Sequence, residues 1–251
     1  MHKLALLLTL LLLSSQPSYA EKLKVFAGIT WGLHHLEDDI PKGTVTEAVV
    51  ALMDATDIPY EILMMNWAQA QKQNRGTPQS LLFALARQPE REAHYSWLVP
   101  LGQLDLKIAR LTSRPELQLA SFNELKQYKI AAVRTLSTHK MLLKAGITES
   151  EQLLLVDSSS RLLKVIEEGL VDFVFYDAAL TPAILQEFNY PADFLTPTDV
   201  KVPWQNLWLY LAANPQLDEV IKQKIIQTHE RLMDSDTDYQ LKISRILAKT
   251  N

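Results

Sequence analysis

Segments typical of β-strands alternate with segments typical of α-helices through the middle of this chain. Residues 129–133 and 153–156 are short apolar runs with the length of strands. A helical pattern follows each of them, ending at Gly146 and Gly169 respectively, and the apolar run VDFVFY comes next at residues 171–176. Parallel strands need a long crossover, which a helix usually supplies, so this alternation favours a parallel sheet covered by helices. The sequence therefore predicts an α/β fold.

The N-terminal part of the chain adds further strands and a helix. Apolar runs at residues 22–28, 60–65 and 80–86 predict three strands. Between the first two, Thr44 and Glu47 have the spacing of a capping box, which predicts that a helix begins at Thr44.

The next segments suggest that the chain leaves one lobe and later returns to it. Residues 103–111 alternate as expected for one long strand, which we interpret as a crossing between lobes. Residues 207–212 predict a returning strand, and Asn214 is expected to cap a long amphipathic helix. The residues expected to face inward on this helix are Leu217, Val220, Ile221, Ile225 and Leu232. Two α/β lobes, the second inserted into the first, are the simplest architecture.

Residues 1–20, MHKLALLLTLLLLSSQPSYA, have the pattern of a secretory signal peptide. A basic start at His2 and Lys3 precedes an uncharged run at residues 4–13, which is too short to span a membrane. Small residues then precede a cleavage site after Ala20. We therefore expect an exported protein located in the periplasm.

Charge and cysteine content exclude several kinds of partner and site. The chain has 25 basic and 29 acidic side chains, a net charge of −4, and no basic block, which argues against a nucleic acid partner. Cysteine is absent, so disulfides, thiolate metal sites and a catalytic thiol are excluded. Seven glycines are few for Gly-rich phosphate loops, and we expect no cofactor.

Motifs for catalysis or metal binding are also missing from the sequence. No Gly-x-Ser-x-Gly, His-Glu-x-x-His or Ser-x-x-Lys motif stands in a usable context. His34 and His35 are adjacent, so their side chains point apart and make a poor chelate. The acidic residues 37–39 lack the spacing and the glycine of a calcium loop. We expect neither a metal site nor catalytic residues.

One block of the sequence resembles a known family of binding proteins. The motif RQPER, ending at Arg91, follows an apolar strand, and Trp97 comes six residues later. This is similar to extracellular solute-binding proteins of family 3, the polar amino-acid-binding proteins of ABC importers. In that family a strand ends in Thr-Pro-Glu-Arg or a variant, and the aromatic residue of a Phe-Ser-x-Pro-Tyr segment follows at the same interval. Gln88 takes the place of the threonine.

Two further blocks extend the resemblance to the second lobe. The segment EEGLVDFVFYDAAL, with Asp172 and Asp177, is similar to the family's Gly-Arg-x-Asp-Ala-x-x-x-Asp signature. The segment AAVRTLSTHKMLLKAG resembles the family's Val-x-x-Gly-Ser/Thr turn, with Ser137 and Thr138 at the start of a helix. The C-terminal segment NLWLYLAANPQLDEVIKQKI resembles the returning strand and helix, so the resemblance covers nearly all of residues 22–248.

The resemblance implies a periplasmic-binding-protein-like fold of type II. Two α/β lobes would enclose a ligand cleft, and two hinge crossings would lie near residues 102–107 and 196–203. The implied division is a signal peptide at residues 1–20, a first lobe at 21–103, a second lobe at 104–198 and a return to the first lobe at 199–251.

The resemblance also implies which side chains contact the ligand. An arginine offers a bidentate fork to a ligand carboxylate, which we assign to Arg91 or to the competing Arg87. Asp177 would accept hydrogen bonds from a ligand ammonium group, and tryptophans would stack on the body of the ligand. The expected ligand-binding residues are Trp31, Trp67, Arg87, Arg91, Ser137, Thr138 and Asp177.

Other roles stay open for the same residues. Arg91 would instead pair with Glu90 or Glu92 at the surface, and Asp177 would instead cap a helix that begins near Ala178. If Arg91 is an exposed cleft residue, its replacement by alanine should abolish ligand binding and leave stability nearly unchanged.

The function expected from the resemblance is capture of a small polar ligand. The ligand would be an amino acid or a related carboxylate, bound by a monomer and delivered to an ABC permease. A first alternative is an orphan binding protein that signals to a membrane receptor. A second is an exported enzyme similar to cyclohexadienyl dehydratases, although we expect no enzymatic activity.

Overall fold

The computed structural model describes residues 22–30, 33–134, 136–149, 152–178, 181–204 and 207–247, the side chains of residues 245 and 247 excepted. Within these ranges the chain forms two five-stranded sheets and a two-stranded ribbon. The predicted signal peptide, residues 1–20, and the predicted ligand-binding residue Trp31 lie outside the described residues.

The strands and helices follow one another in a mixed order. The strands are β1 (Leu23–Gly28), β2 (His35–Glu37), β3 (Ile40–Lys42), β4 (Tyr60–Met65), β5 (Ser80–Ala86), β6 (Ser96–Leu104), β7 (Leu106–Leu111), β8 (Ile130–Val133), β9 (Leu153–Val156), β10 (Phe173–Asp177), β11 (Leu195–Pro197) and β12 (Leu207–Ala213). The α-helices are α1 (Thr44–Asp54), α2 (Trp67–Gly76), α3 (Ser137–Lys144), α4 (Ser159–Glu167), α5 (Thr181–Glu187), α6 (Glu219–Ser235) and α7 (Thr237–Leu247). Short 3₁₀ helices span Pro89–His94 and Phe122–Gln127.

The first sheet has the strand order β4-β1-β5-β12-β6. Strand β1 pairs in parallel with β4 and β5, and β12 runs antiparallel to β5 and β6. All seven residues of β5 are buried, as expected for a central strand that is covered on both faces. Helices α1, α2, α6 and α7 pack around this sheet, and together they form the first lobe.

The second sheet has the strand order β11-β7-β10-β8-β9. Strands β10, β8 and β9 are parallel, and β7 runs antiparallel to both β10 and β11. Helices α3 and α4 contact β8, which gives the strand-helix alternation that the sequence predicted. This sheet and its helices form the second lobe.

The crossing between the lobes differs from the predicted long strand at residues 103–111. Leu104 pairs with Leu207 in the first sheet, whereas Leu106 pairs with Asp177 in the second. Asp105 lies between the two strands and belongs to neither. One alternating segment therefore forms two strands, because its halves find partners in different sheets.

The start of α1 is also different from its prediction. The N-cap residue is Gly43, with φ of 112°, and no side chain caps the helix. The predicted capping box between Thr44 and Glu47 is therefore wrong. The amide of Glu47 donates to the carbonyl of Gly43 instead, and the positive φ favours glycine at this position.

Helix α6 begins later than predicted, because Asn214 has other partners. The Nδ2 of Asn214 donates to the carbonyl of Asn74 at 2.8 Å, and its Oδ1 accepts from the amide of Gln216. Asp218 caps the helix by accepting from the amide of Val220 at 2.7 Å. Val220 is 75% exposed, so the prediction that it faces inward is wrong. Leu217, Ile225 and Leu232 are buried as predicted.

Candidate functional site

A cavity of about 110 Å³ lies between the two lobes, and we call it the cleft cavity. It lies at the carboxyl ends of β1, β5, β8 and β10, where ligands usually bind in open α/β sheets. From the first lobe it is lined by Thr30, Leu33, His34, Trp67, Ala84, Ala86, Leu104 and Leu209. From the second lobe it is lined by Leu106, Val133, Leu136, Ser137, Thr138, Ser159, Leu162, Leu163, Phe175, Tyr176, Asp177, Thr181, Ile184 and Leu195.

Asp177 is the one carboxylate among the described residues that line the cleft cavity. It is the last residue of β10, and the carbonyl oxygen of the same residue accepts a hydrogen bond from Thr181 Oγ1 at 2.9 Å. Helix α5 begins at Thr181, four positions later, so Asp177 is not its N-cap. Its position at the end of a strand brings a carboxylate to the cleft.

The neighbouring Tyr176 is a neutral hydroxyl at physiological pH. Burial raises the pKa of Tyr176 to about 12, and the carboxylates of Asp105 and Asp177 raise it in the same direction. A tyrosine that keeps its proton donates one hydrogen bond and accepts another. It therefore adds polarity to the cleft without adding charge.

The start of α3 brings two hydroxyls and the positive end of a helix to the cleft cavity. Ser137 and Thr138 are the first two residues of the helix, and both are buried. Leu136 occupies the N-cap position and supplies no side-chain hydrogen bond to the first turn. Amide groups at such a helix start favour anions, since the helix dipole is positive there.

His34 is a buried, neutral imidazole in the first-lobe wall. It is 2% exposed, and burial lowers its pKa to about 4. Its Nδ1 is hydrogen bonded to the carbonyl oxygen of Gly28, which only accepts, so Nδ1 carries the proton. Nε2 is therefore a hydrogen-bond acceptor at neutral pH.

Trp67 lines the cleft cavity as the first residue of α2. Asn66 caps this helix by accepting a hydrogen bond from the amide of Gln69 at 2.9 Å, and this fixes where α2 begins. The Trp67 ring lies against Gly28, where an added Cβ would overlap the ring. Glycine is therefore required at the end of β1 for Trp67 to occupy this position.

Arg91 lies beside the cleft cavity but does not line it. Its side chain is buried, and Nη1 donates to the carbonyl oxygen of Ala86 at 2.8 Å. Burial lowers the pKa of Arg91 from its usual value. The assumption that Arg91 is an exposed arginine is therefore wrong, whereas its contact with a ligand carboxylate stays a prediction.

Arg87 is held at the surface of the first lobe. Nε and Nη2 donate to the two carboxylate oxygens of Glu92 at 2.9 and 3.0 Å, a bidentate pair that raises the arginine pKa. The guanidinium carbon also lies 5.4 Å from the ring centroids of Trp97 and Tyr210. The guanidinium fork and the two aromatic rings that it contacts lie outside the cleft cavity.

The structure thus brings four of the seven predicted residues together, namely Trp67, Ser137, Thr138 and Asp177. Sequence reasoning missed His34 and Ala84 as lining residues. The adjacency of His34 and His35 in the sequence indicates only a poor chelate and no place in a cleft wall. Ala84 has φ of 57° inside β5, opposite a register shift in β12, and no sequence pattern indicates this left-handed backbone.

Two other classes of feature are absent from the described ranges. No helix there has both the length and the apolar content needed to cross a membrane. No group of three or more His, Asp or Glu side chains in the same ranges is arranged to hold a metal ion.

No protein family model and no curated protein match this sequence. Solved structures do resemble it. A histidine kinase sensor domain with similarity to periplasmic binding proteins has a TM-score of 0.77 and 15% sequence identity, over 90% of this chain and 96% of that one. The arginine-, lysine-, histidine-binding protein ArtJ from Geobacillus stearothermophilus has a TM-score of 0.73 and 15% identity, over 91% and 96% of the two chains.

A third similar structure is the amino acid ABC transporter substrate-binding protein AbpA from Streptococcus pneumoniae, bound to L-arginine. Its TM-score is 0.70 with 16% identity, over 91% of this chain and 95% of that one. At these identities the similarity concerns the fold. The two mixed sheets have the fold of type II periplasmic binding proteins, which confirms the fold class predicted from the sequence.

Proposed function

We propose that this protein is a periplasmic solute-binding protein that captures a small amino-acid-like solute in the cleft cavity and delivers it to an ABC importer. The observation that carries the proposal is the cleft cavity itself, because both lobes line it and one carboxylate lies in its described wall. A cavity shared by two lobes links binding to lobe closure, as in hinge-type binding proteins.

The second lobe supplies groups for both charged ends of such a solute. Asp177 accepts hydrogen bonds from the ammonium group, and this pairing is charge-assisted. The carboxylate of the solute accepts hydrogen bonds from the hydroxyls of Ser137 and Thr138 and faces the positive end of α3. A site for an anion at the start of α3 and a site for a cation at Asp177 are together complementary to a zwitterion.

The two lobes also meet outside the cleft cavity. Lys144 at the end of α3 contacts Glu90 of the first lobe, with Nζ and Oε1 2.7 Å apart. The two lobes therefore touch each other across the cleft in this structure. This contact supports a clamp that closes over its ligand.

Calorimetric titration of the purified protein with the standard amino acids tests the proposal. We expect binding by the wild type and at least about thirtyfold weaker binding by Asp177→Asn, because truncating one member of a buried charge pair costs roughly 2–5 kcal/mol. Asp193→Asn is the matched control, since Asp193 is exposed and does not line the cleft cavity. Unchanged affinity in Asp177→Asn would contradict the ammonium site.

Small-angle scattering provides the second measurement. The radius of gyration should fall when the ligand is added at saturation, because the lobes close. If amino acids, amines and small carboxylates all fail to produce heat or compaction, the binding function is wrong.

A sensor role is the second candidate, and the similarity to a histidine kinase sensor domain favours it. Deletion of the gene in its host distinguishes the importer role from the sensor role. Reduced uptake of the bound solute would support the importer role. Unchanged uptake with a lost transcriptional response to the same solute would support the sensor role.

A further inference from the structure

We propose that the solute held in the cleft cavity has an uncharged, apolar side chain, as aliphatic and aromatic amino acids do. The inference rests on the proposed function and specifies its ligand. It comes from the distribution of charge and apolar surface in the cavity wall.

Charge is the first part of the argument. Among the described residues that line the cleft cavity, Asp177 is the only carboxylate, His34 is neutral and Tyr176 keeps its proton. When Asp177 holds the ammonium group, a cationic side chain finds no second carboxylate in this wall. An unpaired charge taken out of water is strongly unfavourable, so arginine and lysine fit poorly.

A ligand with an acidic side chain also finds no partner of opposite charge in the cavity wall. No Lys or Arg lines the described part of the cleft cavity. The sequence has no Lys, Arg or His at the internal positions that lie outside the described ranges, which are 31–32, 135, 150–151, 179–180 and 205–206. Glutamate and aspartate ligands therefore meet no basic side chain in the wall.

Apolar surface is the second part. The first lobe contributes Leu33, Trp67 and Leu209, and the second contributes Leu106, Val133 and Phe175. All six are buried or nearly so, and they come from both sides of the cavity. An apolar ligand side chain held among these surfaces is itself removed from water and contacts apolar groups on both sides.

The preference expected here differs from the ligands of the similar structures. AbpA was solved with L-arginine, and an ancestral arginine-binding protein with a TM-score of 0.71 was solved bound to glutamine. Those proteins share the fold at 16% and 14% identity, so the side-chain pocket is free to differ.

The test compares ligands that have the same α-ammonium and α-carboxylate groups. L-leucine, L-phenylalanine, L-arginine, L-glutamine and L-glutamate are titrated into the purified protein by calorimetry. We expect leucine or phenylalanine to bind at least about tenfold more tightly than the other three. Tighter binding of arginine, glutamine or glutamate would overturn the apolar preference and leave the binding function intact.

A pair of variants tests whether the cleft cavity determines the preference for an apolar side chain. Ile184 is half-buried in the cavity wall, and Ile184→Ala should weaken leucine or phenylalanine binding about tenfold. Leu170 is 48% exposed in the same lobe and does not line the cavity, so Leu170→Ala should bind as the wild type does. Equal affinities in wild type and Ile184→Ala would overturn the assignment. If none of the five amino acids binds while another amine causes compaction, the apolar amino acid inference fails and the clamp function stands.

Discussion

Nη1 of Arg91 donates a hydrogen bond to the carbonyl oxygen of Ala86, a residue that itself lines the cleft cavity. The arginine thus holds the end of β5 in place from outside the cavity. This relationship gives Arg91 a structural role that the sequence alone did not indicate.

Arg91→Ala should therefore destabilise the protein. The variant leaves a buried carbonyl without its donor, which typically costs about 1–3 kcal/mol of unfolding free energy. Urea denaturation at pH 7 measures this loss. Arg87→Ala is the comparison, because Arg87 is exposed and its ion pair with Glu92 is worth little.

Ligand affinity separates this role from the one suggested by the resemblance. Because Arg91 does not line the cleft cavity, we expect Arg91→Ala to bind ligand within about threefold of the wild type once folded. A hundredfold loss, about 2.7 kcal/mol, would show that the guanidinium reaches the ligand carboxylate.

His34 should make stability depend on pH. Its pKa is lowered from 6.5 to about 4 in the folded protein, so between these values the unfolded state binds more protons. Stability from this group is therefore complete above about pH 6.5 and is lost as the pH falls towards 4. The loss is roughly 3 kcal/mol, from about 1.4 kcal/mol per pKa unit.

Urea denaturation of wild type and His34→Asn between pH 7 and 4 checks this expectation. Asparagine keeps an N–H that can donate to the carbonyl of Gly28 but does not titrate. His229 also has a pKa lowered by burial, and it contributes to both proteins equally. The pH dependence of the variant should be flatter than that of the wild type, and parallel curves would contradict the prediction.

Much of the fold was predictable because the core strands are continuous apolar runs. Residues 60–65 and 80–86 form strands with the predicted bounds, and α4 ends close to Gly169, as its pattern predicted. The errors lie where tertiary contacts decide the outcome. Asn214 makes a hydrogen bond to Asn74, 140 positions away, and so does not cap α6.

The site was predictable only in part for the same reason. Asp177 ends β10, and Ser137 and Thr138 begin the helix that follows β8. The carboxyl ends of these two parallel strands lie at one edge of the sheet. Arg91 follows β5 by five positions, and its direction depends on the 3₁₀ helix Pro89–His94. The burial of His34 depends on contacts with Gly28 and Phe83, which sequence spacing does not reveal.

The ion pair between Lys144 and Glu90 should favour the closed arrangement of the lobes. Both side chains are exposed, so the effect is small and salt removes it. Glu90→Gln should weaken ligand binding about two- to fivefold at low ionic strength and leave it unchanged in 1 M salt. Glu92→Gln is the control, since Glu92 pairs with Arg87 within the first lobe. A salt-independent loss in Glu90→Gln would contradict an electrostatic contact between the lobes.

Gly28→Ala should displace Trp67 and weaken ligand binding, because the added methyl group would overlap the indole ring. Overpacking of this kind typically costs about 1–3 kcal/mol of stability. Gly76→Ala is the matched control, since Gly76 ends α2 and a Cβ there meets no atom within 4 Å. Alanine in that helical position should be neutral or stabilising by up to about 1 kcal/mol. Thermal unfolding and calorimetric titration of both variants measure the two effects. If Gly28→Ala keeps wild-type stability and affinity, the packing of Trp67 against β1 does not shape the cleft wall.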